Sequence, residues 1–294
     1  MQSNGILLNT KSATIFKKLN IQVGISLDGT AKSNNTNRVY HNGRGSYNET
    51  IKGFKELKKT NLGGMANCLC VIDINEKPKE VYEHFKMLGA NSVHFLFQDF
   101  NYIKSTQQTI PKVGKWLVDM FDIWTNDMDQ VKPEIKPLSD LVSIIFGFSE
   151  GSEIFGKSEN KTLVIETDGS IETVDTLKIC GNGFTNTKLN VLKNDLNDIY
   201  EESSLARLYY NSHYDLCETC QKCPIKFVCG GGYLGHRYSI DKEFDNPSIY
   251  CREIIEIVCY IQNKILREMP PEISKEWGID YLNYDEIINS KYLE

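Results

Sequence analysis

Six of the nine cysteines in this 294-residue chain lie close together in the second half of the sequence: Cys217, Cys220, Cys223, Cys229, Cys251 and Cys259. Residues 1–13 lack the basic start and the apolar stretch of a secretory signal, so we expect the chain to stay in the cytoplasm. Cytoplasmic thiols are kept reduced, and clustered cysteines there bind metal or carry out redox chemistry more often than they form disulfides. The cluster therefore predicts a domain built around a metal or an inorganic cofactor.

The spacing of these cysteines indicates metal binding without identifying the metal. Cys217, Cys220 and Cys223 follow one another at three-residue intervals, and residues three apart can point two sulfurs at one metal. Cys229 is followed directly by residues 230–232, all glycine, which let the backbone approach a bulky centre and offer amides to its sulfur atoms. Zinc and iron–sulfur clusters both accept four thiolates, so spacing alone leaves the two open.

Charge and hydropathy restrict the partners. A formal net charge of −6 argues against a protein that coats nucleic acid or an anionic membrane. No apolar run approaches the roughly 20 residues that span a bilayer. We therefore expect a small molecule or a peptide as the partner, with no nucleic acid and no membrane.

The first half of the chain alternates strand and helix. Apolar residues at period two predict strands at residues 21–27, 68–74 and 92–97. Amphipathic patterns predict helices after each of them, around residues 51–57, 78–88 and 113–128. Residues 2–5 look like the end of another strand, and Ser46 with Glu49 predicts a capping box. This order implies an α/β fold with parallel strands, and three complete strands are too few to close a barrel of about eight.

The pattern loosens after residue 129, and we predict a domain boundary in the polar run at 147–161. Asp168-Gly169 lies between two alternating runs and predicts a hairpin, while residues 248–269 predict a long amphipathic helix. The predicted organisation is a partial barrel at 1–147, a cysteine domain at 162–262 and a tail at 263–294.

Two separate regions resemble the same family. The stretch from Cys217 to Cys251, with GGGYLGHRYS and FDNPSIYC, resembles the SPASM domain of radical S-adenosylmethionine (SAM) enzymes, especially those that crosslink ribosomal peptides. SNGILLN at 3–9 and VGISLDGT at 23–30 resemble the third and fourth barrel strands of that family, as in anaerobic sulfatase-maturating enzymes. The resemblance covers about residues 2–262.

The resemblance implies an incomplete radical SAM-type barrel followed by a small C-terminal SPASM iron–sulfur domain. It implies an auxiliary [4Fe–4S] cluster whose ligands are Cys220, Cys223, Cys229 and Cys251. Tyr233 stands where the family has a cysteine of another auxiliary cluster, so that cluster is expected to be absent or incomplete. Cys180 and Cys217 remain possible supplementary ligands.

The resemblance also implies a SAM site in the barrel. Asn4 and Ser26 occupy positions that contact the ribose and methionine portions of SAM in relatives. Arg38 lies where relatives hold the cofactor's carboxylate, and Asp28 is the candidate catalytic residue, although a strand-ending Asp-Gly turn would also account for it. His236 and Arg237 either position a substrate or cluster or anchor the backbone after the glycines.

The sequence departs from the family where the chemistry begins. The family cleaves SAM at a cluster bound by C-x3-C-x2-C, and neither that motif nor the G-G-E motif occurs in the 294 residues. Cys68 and Cys70 have one residue between them on a predicted strand and are expected to be core residues. We therefore expect this chain not to cleave SAM by itself, being either truncated at its N-terminus or dependent on a partner chain that supplies the missing strands.

The reaction implied by the resemblance is radical oxidation or crosslinking of a side chain in a precursor peptide or protein. Whether this chain is itself an enzyme stays open. The alternative is a non-catalytic iron–sulfur or zinc module that binds a precursor peptide.

Overall fold

The computed structural model describes residues 1–60, 66–106 and 108–290. These residues form two compact units. The first contains Met1–Gln98 and Lys115–Ser139, and the second contains Asp99–Gly114 and the described residues from Asp140 onward. The predicted domain limits remain a prediction, because these units follow contacts rather than sequence motifs.

The first unit is built on a parallel sheet. Its strands, as far as the described residues show, are β1 (Gln2–Ser3), β2 (Val23–Ser26), β3 (Ala66–Val71), β4 (Ser92–Leu96) and β5 (Glu134–Ile135). They pair in the order β1-β2-β3-β4-β5, each parallel to the next. The predicted α/β fold with parallel strands is confirmed. β5 was not predicted, because two residues are too few to show a period.

In the part of the chain that the structure describes, five helices lie between these strands along the chain, and a sixth follows β5: α1 (Thr10–Lys18), α2 (Ala31–Asn37), α3 (Tyr47–Lys59), α4 (Pro78–Leu88), α5 (Val113–Asn126) and α6 (Lys136–Ile145). Pro78 occupies the first turn of α4, where its missing amide hydrogen costs nothing, and Gly89 ends α4 with a left-handed φ of 66°. The predicted capping box is wrong. The Ser46 hydroxyl donates to the Arg38 carbonyl at 2.8 Å, and Glu49 accepts from Arg44, so both side chains stabilise the preceding loop.

One face of the sheet forms the core. The register places Ile25, Cys68 and Val93 side by side, and all three are buried. Phe95 of β4 makes edge contacts with Phe85 of α4 and Trp116 of α5, so helices cover this face. Cys68 and Cys70 are 1% and 3% exposed, and the prediction that they are core residues is confirmed.

The opposite face carries polar and partly buried residues. Ser26, Leu69 and His94 are aligned there, and the Ser92 hydroxyl donates to Asn67 Oδ1 at 2.9 Å. Because the strands are parallel, their carboxyl ends meet at one edge of the sheet. The residues that follow β1, β2 and β3, among them Asn4, Asp28 and Asp73, therefore lie along that edge.

The second unit contains an antiparallel sheet and short helices. In its described residues the strands β6 (Val164–Ile165), β7 (Ser170–Glu172) and β8 (Asn186–Asn190) pair in sequence order. The predicted hairpin at Asp168-Gly169 is confirmed, with Gly169 at a φ of 82°. The helices are α7 (Asp198–Glu202), α8 (Ser204–Tyr210), α9 (Glu218–Lys222), α10 (Lys226–Cys229), α11 (Cys251–Glu268), α12 (Pro271–Trp277) and α13 (Tyr284–Asn289).

Short 3-10 helices occur at Asp175–Cys180 and Leu234–Arg237. The helix α11 continues past residue 262, and its Asn263 side chain pairs in both directions with the backbone of Leu282 at 2.7 and 2.8 Å. The predicted tail therefore begins within α11, and Leu282 of the tail packs on this helix, while residues 291–294 lie outside the described residues. Within the described ranges, no helix combines the length and apolar character needed to cross a membrane.

Replacing Gly53 of α3 with alanine tests the packing of the first unit. Helix propensity alone favours alanine by about 1 kcal/mol, but a Cβ at Gly53 would lie 1.9 Å from the Gly5 carbonyl oxygen. We expect Gly53→Ala to lower the free energy of unfolding by about 1–3 kcal/mol in urea denaturation. Lys52→Ala, an exposed change in the same helix, should stay within about 0.5 kcal/mol of the parent. A more stable Gly53→Ala protein would contradict this packing.

Candidate functional site

The clustered cysteines lie on two short helices and at the start of a long one. Cys217 immediately precedes α9, Cys220 lies within it and Cys223 follows its last residue. Cys229 ends α10, and Cys251 is the first residue of α11. Each short helix is a single turn, which matches the three-residue spacing of the motif.

The thiols influence one another electrostatically. A hydrogen bond between Cys217 and Cys220 lowers the pKa of the former and raises that of the latter. Burial raises the pKa of Cys251 well above its usual value, and the charges of Cys229, Cys223 and Cys217 add to this. The structure thus brings the four predicted ligands and Cys217 into one group.

The spacing within this group bears on what it can hold. Among residues 1–60, 66–106 and 108–290, no three or more His, Cys, Asp or Glu side chains are arranged to hold a single metal ion. A zinc ion takes each thiolate at about 2.3 Å, whereas each ligand of a four-iron cluster binds a separate iron, which leaves the sulfurs further apart. Both a zinc ion and a four-iron cluster accept four thiolates, so the donor set fits either centre.

Backbone amides after Cys229 affect its thiol. Burial raises the pKa of this thiol to about 11, and the backbone amides of Gly231 and Gly232 act in the opposite direction. Residues 230–232 have φ values of 59°, 80° and 69°, a left-handed path that glycine adopts without strain. These amides favour a negatively charged sulfur, as a bound thiolate requires.

His236 and Arg237 are both buried behind the glycines. His236 packs between Tyr233 and Tyr250, with ring centroids 5.3 and 5.0 Å away, and burial lowers its pKa to about 3. The Arg237 guanidinium donates to the Gly231 carbonyl at 3.0 Å. Of the two roles considered from sequence, this placement matches an anchor for the glycine backbone.

The remaining cysteines of the second unit differ in their surroundings. Cys180 lies in a hydrophobic cluster with Leu177, Tyr209 and Leu234, and burial raises its pKa to about 12. The structure does not bring it to the other thiols. Cys259 lies on α11, where burial raises its pKa and the charge of Cys223 adds to this effect.

At the edge of the parallel sheet, Asp28 and Arg38 form an ion pair. Arg38 Nε lies 2.6 Å from Asp28 Oδ2 and Nη2 lies 3.0 Å from Oδ1, and the Val71 amide donates to Oδ1 at 3.0 Å. This bidentate pairing fixes the guanidinium plane. The carboxylate therefore joins the ends of β2, β3 and α2.

A polar cavity of about 200 Å³ opens beside this pair. It is lined by Asp28, Ser33, Thr36, Asn37, Val71, Ile72, Asp73, Asn75 and Gln98. Asp73 and Asn75 were not singled out from the sequence, although their position just after β3 was a usable signal.

Asn4 and Ser26 do not line this cavity. Asn4 is exposed, and its Oδ1 accepts from the Ile6 amide at 3.2 Å. Ser26 is buried, and its hydroxyl accepts from Gln2 Nε2 at 3.2 Å. The structure therefore brings Asp28 and Arg38 together and leaves Asn4 and Ser26 nearer β1.

No family model matches the chain, but curated relatives do. An uncharacterised protein of Synechocystis is 23% identical over 276 residues, covering 91% of this chain and 69% of the relative. A cysteine-type anaerobic sulfatase-maturating enzyme of Clostridium novyi is 24% identical over 260 residues, covering 85% and 67%. A serine-type enzyme of Klebsiella aerogenes is 22% identical over 247 residues, covering 80% of this chain and only 58% of the relative.

Solved structures share the fold. Native anSMEcpe with bound AdoMet superposes with a TM-score of 0.74 at 21% identity, over 91% of this chain and 74% of that one. The same protein with AdoMet and the Cp18Cys peptide gives a TM-score of 0.75 over the same shares.

The resemblance predicted from the sequence motifs is thus confirmed: the homologues of this chain are anaerobic sulfatase-maturating enzymes, which are radical SAM proteins, and its fold is theirs over the aligned residues.

Proposed function

We propose that this chain is the partial-barrel and auxiliary-cluster portion of a radical SAM/SPASM maturase that oxidises or crosslinks a side chain of a ribosomal peptide or protein. The observation that carries the proposal is the gathering of four matching thiols, Cys220, Cys223, Cys229 and Cys251, in a homologue of sulfatase-maturating enzymes. The Cp18Cys peptide bound to anSMEcpe supports a peptide substrate. We place the chain in the cytoplasm, where thiols stay reduced.

In this proposal the four thiolates hold a [4Fe–4S] cluster within a SPASM-like domain at residues 162–262. When bound, such a cluster supplies an acceptor for an electron released during substrate oxidation. The backbone amides of Gly231 and Gly232 lower the pKa of the Cys229 thiol, which favours the thiolate, and the surrounding residues bury Cys251. Cys217 is the supplementary thiol of this arrangement: it influences the pKa of Cys220 and is proposed to take the place of one of the four ligands, since a four-iron cluster accepts one thiolate at each iron.

The edge of the sheet is the proposed SAM site. Asp28 holds Nε and Nη2 of Arg38, which leaves Nη1 for the carboxylate of the cofactor. Asn4 and Ser26, further along the same edge, are the proposed contacts for its ribose and methionine portions. Asp28 is the candidate catalytic residue, since it is only 6% exposed and lines the polar cavity.

The proposal requires a segment that the 294 residues do not contain. SAM cleavage in the family uses a C-x3-C-x2-C cluster, and we propose that a preceding segment or a partner chain supplies it together with the missing strands. Without such a supplier, the same thiol group would serve a non-catalytic module that binds a precursor peptide.

Metal analysis distinguishes an iron–sulfur site from a zinc site. Anaerobically purified protein should hold about four irons and four sulfides per chain, since four thiolates bind one four-iron cluster. Cys220→Ala and Cys229→Ala should lose most of this iron. Cys68→Ala should keep it, because Cys68 is buried on the helix-covered face of the sheet. Stoichiometric zinc without iron, or loss of iron in Cys68→Ala, would refute the proposed ligand set.

A turnover assay tests whether the chain depends on another segment. With SAM and dithionite, the iron-loaded chain alone should form no 5′-deoxyadenosine above a protein-free control, because it lacks the C-x3-C-x2-C ligands. Chromatography of the quenched reaction measures this product. Formation of 5′-deoxyadenosine that disappears in Cys220→Ala would show that the chain cleaves SAM by itself, contrary to our expectation.

A further inference from the structure

Arg237 is a buried cation bound entirely by backbone carbonyls. The residue is 1% exposed. Its Nε donates to Gly231 at 3.0 Å, Nη2 donates to Gly230 at 2.8 Å and Gly232 at 3.2 Å, and Nη1 donates to Ser212 at 2.7 Å and Asp215 at 3.5 Å. Every one of these acceptors is a neutral carbonyl oxygen.

Neutral carbonyls do not balance the charge. Moving a cation out of water is unfavourable unless both hydrogen bonds and a nearby anion compensate for the lost hydration. The ionisable groups that favour the charged guanidinium are, in decreasing order, the thiols of Cys220, Cys229 and Cys217 and the carboxyl of Asp215, whose residue is exposed. The hydrogen bond from Cys217 raises the pKa of Cys220 and burial raises that of Cys229, so these sulfurs supply the balancing negative charge when a metal binds them as thiolates.

Two peptide units connect the guanidinium to one of these sulfurs. The carbonyl of Gly230 accepts from Nη2, and the amide of the same peptide unit, on Gly231, lowers the pKa of the Cys229 thiol. The carbonyl of Gly231 accepts from Nε, and the amide of that unit, on Gly232, donates to the Cys229 carbonyl at 3.2 Å and also lowers the pKa of the Cys229 thiol. A hydrogen bond to a peptide carbonyl strengthens the amide of the same unit as a donor.

The glycine backbone is shaped around the guanidinium. A Cβ at Gly231 would lie 2.4 Å from Nη2 and 2.6 Å from Cζ of Arg237. A Cβ at Gly230 would lie 2.1 Å from the Gly156 carbonyl oxygen. The guanidinium of Arg237 and the peptides that follow Cys229 are therefore closely packed against each other.

We propose that Arg237 raises the reduction potential of the cluster bound through Cys229, acting as a positioning residue through the Gly230–Gly231 and Gly231–Gly232 peptides. This inference rests on the proposed cluster. Reduction adds one negative charge to a cluster, so a fixed buried cation and polarised amides stabilise the reduced state more than the oxidised state. A higher potential suits a cluster that accepts an electron.

The test is an anaerobic redox titration of the full chain with reconstituted cluster, followed by absorption and electron paramagnetic resonance. Arg237→Gln removes the charge, Arg237→Lys keeps it without the planar fork, and Arg207→Gln is the control. Arg207 is an exposed guanidinium that also donates to backbone carbonyls, those of Tyr200 and Glu201.

At the wild-type midpoint, Arg237→Gln should lower the ratio of reduced to oxidised cluster at least tenfold, a shift of about 59 mV for one electron. Arg237→Lys should shift less in the same direction, and Arg207→Gln should not shift. A loaded Arg237→Gln cluster that titrates like the wild type would overturn the proposal and leave Arg237 as a structural anchor. Wild-type protein that binds no iron would instead refute the proposed function.

A second measurement uses the wild-type chain and does not depend on the folding of a variant. Removing the cluster with a chelator should speed hydrogen exchange in residues 212–237, because the buried cation loses its anion. Peptides from α4 in the first unit should keep their exchange rates and serve as the internal control. Residues 212–237 that stay as protected without the cluster as with it would show that the guanidinium needs no anion, which would also overturn the proposal.

Discussion

The cysteine-bearing part of the second unit depends on the hydrogen bonds from the Arg237 guanidinium to backbone carbonyls. They join residues 212–215 to the glycines at 230–232, which lie directly after Cys229. The amides of Gly231 and Gly232 in these peptides lower the pKa of the Cys229 thiol. The interaction that fixes this loop therefore also orients the donors that a thiolate needs, so the folding of the loop and binding of a cofactor are expected to be coupled.

In the first unit, the parallel pairing of the strands determines where the polar groups lie. Parallel pairing brings the ends of β2 and β3 to one edge, where Asp28 binds both the Arg38 guanidinium and the Val71 amide. A carboxylate with these partners holds its neighbours in place whether or not a cofactor is bound. The cavity beside it is lined by side chains from several segments, which is how sites are built at the carboxyl ends of parallel strands.

Sequence reasoning succeeded where the signal was local. Period-two alternation, Pro78 and Asp168-Gly169 each act over a few residues, and the strands, the start of α4 and the hairpin were predicted from them. The capping box predicted at Ser46 was wrong because the Ser46 hydroxyl donates to the backbone carbonyl of Arg38 in the preceding loop. A local sequence pattern does not encode this contact. The contacts of Arg237 with several backbone carbonyls could not be predicted from the sequence either, since these carbonyls lie up to 25 residues from Arg237 along the chain.

The central claim is that Cys220, Cys223, Cys229 and Cys251 together bind a four-iron cluster. The most direct measurement is the electron paramagnetic resonance spectrum of the dithionite-reduced chain, compared between Cys251→Ala and Cys180→Ala. We predict that the reduced cluster signal is present in the wild type and in Cys180→Ala, whose thiol lies in a hydrophobic cluster, and is lost or altered in Cys251→Ala. An unchanged signal in Cys251→Ala, or no cluster signal in the wild type, would contradict this account.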